Sequence, residues 1–195
     1  MRSGTALIAC GALARELRAV ANANGWDVTI LGMPALLHNR PERIPSAVRE
    51  RIREARGHYE RIAVVYGDCG TGGLLDRVLA EEGVARIPGP HCYEMYAGPD
   101  FEELARAESG TFFLTDFLVR EFDALVIRGL GLDRFPELRG EYFRHYRRVV
   151  YLAQQRDRAL EVKAIEAAAR LQLPLEVRVT GYGALESRLV ELRVQ

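Results

Sequence analysis

The sequence lacks an excess of charge of either sign, and it lacks a long apolar segment. Its 27 basic and 27 acidic residues give a formal net charge of zero, so no overall electrostatic attraction to nucleic acid or to an acidic membrane surface is expected. No stretch approaches the ~20 apolar residues that a membrane span requires, and no signal peptide with a cleavage site is recognisable. We therefore expect a cytoplasmic protein that binds neither nucleic acid nor membranes.

Cysteine is also scarce, with 3 residues in a chain of 195. An odd number of thiols in a reducing compartment argues against a disulfide scaffold. Cys10, Cys69 and Cys92 are therefore core residues, metal ligands or reactive groups. A single cysteine is most often simply buried, so a functional interpretation has to come from the three together.

The sequence does contain an alternation of short apolar runs with amphipathic segments. The apolar runs predict strands at residues 5–9, 26–31, 61–66, 84–87, 111–114, 148–152, 175–179 and 187–194. Strands that alternate with helices predict an α/β layered fold with a mainly parallel central sheet flanked by helices. No repeat or long linker interrupts the chain, so a single α/β domain over residues 1–195 is expected.

Each cysteine follows one of the predicted strands. Cys10 follows the first strand directly, Cys69 lies just past the strand at 61–66, and Cys92 follows the short strand at 84–87. The carboxyl ends of parallel strands share one edge of a sheet, and ligands bind at that edge. We therefore expect the three thiols to converge.

Three converging thiols indicate a metal site. Three thiolates hold a zinc ion when a histidine or an exchangeable ligand takes the fourth position, and His91 or His38 is the candidate fourth ligand. Because neighbours on an extended backbone point opposite ways, His91 joins Cys92 on one ion only if the chain turns sharply there. Three thiolates equally bind three irons of a four-iron cluster and leave the fourth iron open to substrate. No C-x-x-C motif identifies the metal.

The segment that contains Cys69 is rich in glycine and precedes a predicted helix. Backbone amides at such a position can hold an anion, so Gly70, Thr71, Gly72 and Gly73 are predicted to bind a carboxylate or phosphate group of a small substrate. The Lys-Ser/Thr pair of a P-loop and the G-x-G-x-x-G pattern are both missing. A nucleotide site is therefore not indicated.

Four short runs together carry a family resemblance: ACGAL at residues 9–13, LHNRP at 37–41, YGDCGTG at 66–72 and HCYE at 91–94. They resemble an uncharacterised bacterial and archaeal family known only as a domain of unknown function. Runs at residues 130–133 and 149–152 fit it too, so the resemblance covers nearly the whole chain. Genes of this family are often neighbours of corrinoid-dependent methyltransferase genes. The resemblance implies a link to one-carbon metabolism, with a corrinoid protein or methyltransferase as a partner, but no reaction to carry over.

The expectation is therefore a metal-binding protein in which Cys10, Cys69, Cys92 and His91 hold zinc. It would be an enzyme or an enzyme accessory that acts on a small molecule in methyl-transfer metabolism. One alternative is an iron–sulfur enzyme with a three-cysteine cluster. The other is a non-enzymatic protein that binds a corrinoid partner, or a corrinoid itself with His38 or His91 as axial ligand.

Overall fold

The computed structural model of the chain describes residues 4–98 and 100–192. These residues form two compact units: unit 1 contains residues 4–95 and 184–192, and unit 2 contains residues 96–183 apart from Pro99. Each unit has its own three-stranded parallel sheet. The predicted α/β fold with parallel strands and flanking helices is confirmed, and the strands are divided between two sheets. The expected single domain over residues 1–195 stays a prediction beside this division.

The strands and helices have the following bounds. The strands are β1 Thr5–Cys10, β2 Val28–Met33, β3 Arg61–Val65, β4 Thr111–Thr115, β5 Arg148–Ala153 and β6 Leu175–Val179. The α-helices are α1 Ala14–Asn24, α2 Ile44–Ala55, α3 Leu74–Glu82, α4 Cys92–Ala97, α5 Asp100–Ala107, α6 Asp116–Arg120, α7 Leu138–Phe143, α8 Arg158–Leu171 and α9 Leu185–Glu191. Short 3-10 helices occupy Gly11–Leu13, Ala35–Asn39 and Pro41–Arg43, and Asp123–Arg128 forms a π-helix. In the described part of the chain no helix has the length and apolar character to cross a membrane.

The sheet of unit 1 has the strand order β2-β1-β3, with β1 in the centre. Every residue of β1 is buried, because a central parallel strand is covered on both faces and therefore reads as a continuous apolar run. Helix α2 packs against α3 and against β1. Helix α1 ends where Gly25 adopts the left-handed conformation, with φ of 65°, which is a common way to terminate a helix.

Two of the predicted strands of unit 1 differ in the structure. Residues 84–87 pair with β3 only through an isolated bridge between Val64 and Arg86. The strand predicted at 187–194 is wrong over its described residues, because the chain there forms α9. Leu185 and Leu189 are both fully buried, and their four-residue spacing favours a helix with one apolar face. Residues 193 and 194 lie outside the described residues.

A buried hydrogen-bond network joins the ends of β4 and β5 in unit 2. Asp116 directly follows β4 and is 1% exposed. Its Oδ1 accepts hydrogen bonds from the Tyr151 hydroxyl at 2.7 Å and from the main-chain amide of Gln154 at 3.0 Å. The Gln154 side-chain oxygen accepts one from the Asp116 amide at 2.8 Å. Burial, and then the bond to Asp116, raise the pKa of Tyr151.

Replacing Asp116 should therefore destabilise the fold. The Asp116→Ala variant leaves the Tyr151 hydroxyl and the Gln154 amide without their acceptor, so we expect the free energy of unfolding to fall by about 3 kcal/mol. Urea denaturation followed by circular dichroism measures this. Asp133→Ala, in an exposed turn, is the matched control and should change stability by less than about 0.5 kcal/mol. Equal stability of the two variants would contradict a structural role for the network.

Candidate functional site

Cys10 lies at the carboxyl end of the central strand β1 and is 5% exposed. Strands β1 and β3 are parallel, and their register pairs Ala9 with Val65. Tyr66 directly follows β3, and it lies close enough to Cys10 for each side chain to affect the pKa of the other. The first thiol therefore adjoins a buried phenol at the edge of the sheet where ligands are expected.

Cys69 is held by main-chain contacts between two loops. The amide nitrogens of Asp68 and Cys69 donate to the carbonyl oxygens of Gly89 at 3.0 Å and Pro90 at 2.7 Å. Cys69 itself adopts φ of 50°, a left-handed conformation that costs a residue other than glycine ~1 kcal/mol or more. A Cβ atom at Gly67 would lie 2.6 Å from the Cα atom of His91. The loop at 67–69 therefore lies directly against the loop at 89–91.

The carboxylate of Asp68 occupies part of the predicted anion site. It accepts hydrogen bonds from the Thr71 hydroxyl at 2.6 Å and from the amides of Gly72 at 3.1 Å and Gly73 at 2.9 Å. Burial alone would raise the pKa of Asp68, but these hydrogen bonds outweigh it and lower the pKa. Two of the predicted amides thus already hold an anion of the protein itself. Binding of a substrate anion by residues 70–73 stays a prediction, and in this arrangement a ligand would have to displace Asp68.

Arg86 ties the end of β3 to the segment that leads to Cys92. Its guanidinium donates to both carboxylate oxygens of Asp76, at 2.6 and 2.9 Å. Its Nη1 also donates to the carbonyl oxygens of Tyr66, Ile87 and Gly89. One side chain therefore fixes the relative positions of both loops.

Cys92 begins helix α4, and a second arginine holds the start of this helix. Arg188 of α9 donates from Nη2 to the Glu94 carboxylate at 2.8 Å and from Nη1 to the Pro88 carbonyl at 2.6 Å. Glu94 is thus paired with an arginine. Because α4 begins at Cys92, His91 and Cys92 are not neighbours on an extended strand. A joint role of the two residues on one ion stays a prediction.

The three thiols influence one another electrostatically. Burial, followed by the charge of Cys10, raises the pKa of Cys69 to about 12. Burial raises the pKa of Cys92 well above its ordinary value, and Cys69 and Cys10 raise it further. Burial likewise raises the pKa of Cys10. Cys10 and Cys69 therefore lie close enough to affect the ionisation of the other thiols, and burial keeps all three neutral at pH 7. Their joint role as metal ligands stays a prediction.

Two further ionisable side chains, Tyr66 and Glu16, lie near the thiols. The Tyr66 ring is 1% exposed, and burial followed by the charge of Cys10 raises the pKa of its hydroxyl. Glu16 of α1 is 3% exposed and lies close enough to Cys92 to raise the pKa of that thiol. Sequence reasoning missed Glu16. A signal for Glu16 was present, since the helical spacing of Leu13 and Leu17 places position 16 on the same face.

The two candidate fourth ligands are His91 and His38. Burial lowers the pKa of His91, although the nearby carboxylates of Glu94 and Asp68 act in the opposite direction. His38 is exposed, and partial loss of hydration, followed by the charge of His91, lowers its pKa. Both imidazoles are therefore neutral at pH 7, which is the form that binds a metal.

The donor atoms of the candidate cysteine and histidine ligands lie farther apart than the ligands of a single metal ion do. Among residues 4–98 and 100–192, no three His, Cys, Asp or Glu side chains are grouped closely enough to hold a metal ion as they stand. Thiolates on one tetrahedral zinc lie ~3.8 Å apart, as a Zn–S bond of ~2.3 Å requires. Binding one zinc ion would thus require the thiols to approach one another, for which a change of side-chain rotamer is the smallest movement.

The close approach at residue 67 provides a test of the loop packing. In Gly67→Ala the new methyl group meets main-chain atoms of His91, so the two loops must separate. We expect a loss of about 2 kcal/mol in the free energy of unfolding, measured by urea denaturation. Gly57→Ala is the control, because a Cβ atom at Gly57 meets nothing within 4 Å. Equal losses in both variants would contradict the packing described.

The raised thiol pKa values predict how stability depends on pH. The folded-state pKa of Cys69, about 12, exceeds the ordinary thiol value of about 8.5. The neutral thiol therefore contributes its full share to the stability of the folded protein at any pH below the ordinary value. Stability of the metal-free protein should therefore fall as the pH rises above about 8.5. Melting temperatures measured at increasing pH test this. The variant with all three cysteines changed to serine should lose less stability over the same range, and an identical pH profile would contradict the assignment.

Comparisons with known proteins give a family and no named relative. The model of the family described as "Protein of unknown function (DUF1638)" matches residues 32–189. The match includes His38, Cys69, His91 and Cys92, and it begins after Cys10. No curated protein matches the chain. The match extends over more than half of the sequence, and the chain belongs to the DUF1638 family of proteins of unknown function.

Proposed function

We propose that this protein binds a metal through the thiolates of Cys10, Cys69 and Cys92. The supporting observation is the electrostatic influence among two buried thiols and one half-buried thiol that come from three separate segments of the chain. Cys10 makes ionisation of Cys69 less favourable, and Cys69 and Cys10 do the same for Cys92, so the metal-free site holds neutral sulfur. A bound cation reverses this balance, because each coordinating thiol exchanges its proton for the metal.

Zinc is the first proposed metal. Three thiolates leave one tetrahedral position, and such an open position is characteristic of catalytic zinc. His91 is the first candidate for that position, since it is half-buried, has a lowered pKa and immediately precedes Cys92. His38 is the second candidate, and its ring lies within electrostatic range of His91. If neither histidine binds, the position accepts a sulfur or oxygen atom of a small substrate.

A four-iron cluster is the second candidate, and one specific observation favours it. The described donor side chains are not grouped tightly enough for a single ion, whereas their thiols still influence one another's pKa values. In a cluster each cysteine binds a different iron, so the three sulfurs lie farther apart than they do around one zinc. The unligated fourth iron would bind the substrate.

For zinc and for the four-iron cluster alike, the proposed reaction is the activation of a small molecule that binds at the open coordination position of the metal. A zinc ion there polarises an oxygen or stabilises a thiolate. We propose methyl-transfer metabolism as the setting, and the sequence resemblance alone supports it. The side chains near the thiols suit this chemistry, since the buried site excludes water that would compete for the metal.

Metal analysis is the direct test. Protein purified without air or chelator should contain about one zinc per chain by mass spectrometry of the elements, and the triple Cys→Ser variant should contain none. Several irons per chain, with visible absorption that the variant lacks, would replace zinc by the cluster. Equal metal content in the wild type and the triple variant would refute the proposal.

The fourth ligand can be identified with histidine variants. Loss of a direct ligand should weaken zinc binding by at least the 10–100-fold that is typical of a supporting residue. We expect this loss for His91→Ala and a smaller one for His38→Ala, measured by competition with a zinc chelator. His145→Ala is the control, because this exposed histidine lies in unit 2. Similar zinc affinity in all three variants would assign the fourth position to an exogenous ligand.

A further inference from the structure

Tyr66 has a buried hydroxyl group that no oxygen or nitrogen atom satisfies. The residue is 1% exposed, and within the described part of the chain its hydroxyl oxygen has no hydrogen-bond partner of ordinary geometry. Buried polar groups are nearly always satisfied, and an unsatisfied one reduces stability. Phenylalanine would fill the same space without this cost. The hydroxyl therefore indicates a hydrogen-bond acceptor that the described protein atoms do not supply in this arrangement.

The position of Tyr66 after β3 indicates which group the hydroxyl contacts. The parallel register of β1 and β3 ends with the pair Ala9 and Val65, and Cys10 and Tyr66 are the residues that directly follow this pair. The Cys10 thiol is the side chain with which the Tyr66 hydroxyl interacts as a hydrogen-bonding group. Cys69 and Cys92 also act on the phenol through their charges. The hydroxyl therefore lies at the thiol site, beside its first cysteine.

The state of Cys10 decides whether it can satisfy the hydroxyl. A neutral thiol is a weak hydrogen-bond acceptor, so it cannot fully satisfy the Tyr66 hydroxyl. A thiolate carries a full negative charge, and hydrogen bonds to ionised acceptors are shorter and stronger than neutral ones. Metal binding removes the thiol proton and so turns Cys10 into a good acceptor.

We infer that Tyr66 is a positioning residue of the thiol site, and that its hydroxyl donates a hydrogen bond to the metal-bound Cys10 thiolate. This inference rests on the proposed function, since it requires a metal at the three cysteines. The hydrogen bond fixes the orientation of the Cys10 sulfur and disperses part of its charge. Supporting residues of this kind typically contribute 10–100-fold to metal affinity.

Cobalt(II) titration of the full-length protein tests the inference, because thiolate-to-cobalt absorption reports directly on the sulfur ligands. The Tyr66→Phe variant should bind cobalt about tenfold more weakly than the wild type. Its thiolate-to-cobalt band should move to longer wavelength, because sulfur electrons that lose a hydrogen bond rise in energy. Tyr151→Phe is the matched control, since it removes the hydroxyl of another buried tyrosine, one that lies in unit 2. This control should leave both the affinity and the band unchanged.

The melting temperatures of the metal-free proteins separate a site role from a structural one. Metal-free Tyr66→Phe should melt at or above the wild-type temperature, because the variant no longer buries an unsatisfied hydroxyl. Tyr151→Phe should melt lower, because it loses its hydrogen bond to Asp116. Opposite effects of Tyr66→Phe on stability and on metal affinity are typical of a residue that serves a binding site.

The outcomes distinguish the inference from the function on which it rests. A wild-type protein that takes up neither cobalt nor zinc would refute the proposed metal site, and the role of Tyr66 with it. A wild type that binds cobalt, beside a Tyr66→Phe variant with the same affinity and the same band, would overturn the inference alone. A variant that melts lower and binds cobalt normally would also overturn it, by showing that the hydroxyl serves only the fold.

Discussion

Two backbone hydrogen bonds, from the amides of Asp68 and Cys69 to the carbonyls of Gly89 and Pro90, hold the candidate site together. They join loops that follow β3 and the isolated bridge, and thereby bring two thiols to the edge where β1 delivers the third. The contact requires glycine at position 67, because any larger residue meets the opposite main chain. Since these contacts are made by backbone atoms, the relative position of the two loops does not depend on the thiol side chains that they carry.

The parts of the fold that were predictable are those that local sequence encodes. A buried parallel strand is an apolar run, so β1 and β3 were recognisable from sequence alone. Residues 187–194 were misread because leucine and valine recur there at spacings that fit a strand as well as a helix. The division into two sheets was not predictable, since each strand's own sequence carries no information on the strand that pairs with it. Pairing depends on contacts between distant segments.

The candidate site likewise has features that the sequence predicts and features that it does not. The prediction that the cysteines converge followed from topology, because parallel strands deliver their carboxyl ends to one edge. The role of Arg86 had no local signal, since its partners are carbonyl groups that only the folded chain assembles. The capture of two glycine amides by Asp68 did have one, because an aspartate shortly before a glycine-rich turn commonly bonds the amides that follow. An anion site predicted from glycine content alone omits the anion that the chain itself supplies.

The distribution of ionisable groups restricts what the site can hold. The groups that raise the pKa of Cys92 are the thiols of Cys69 and Cys10 and the carboxylate of Glu16, and all of them become anions when they ionise. Arg86 lowers the pKa of Cys69, but its guanidinium is engaged by Asp76 and by three carbonyl oxygens. Once these thiols ionise, they would repel a free anion and attract a cation. If the proposed metal site holds, an acidic substrate would therefore enter among these groups only together with the metal ion.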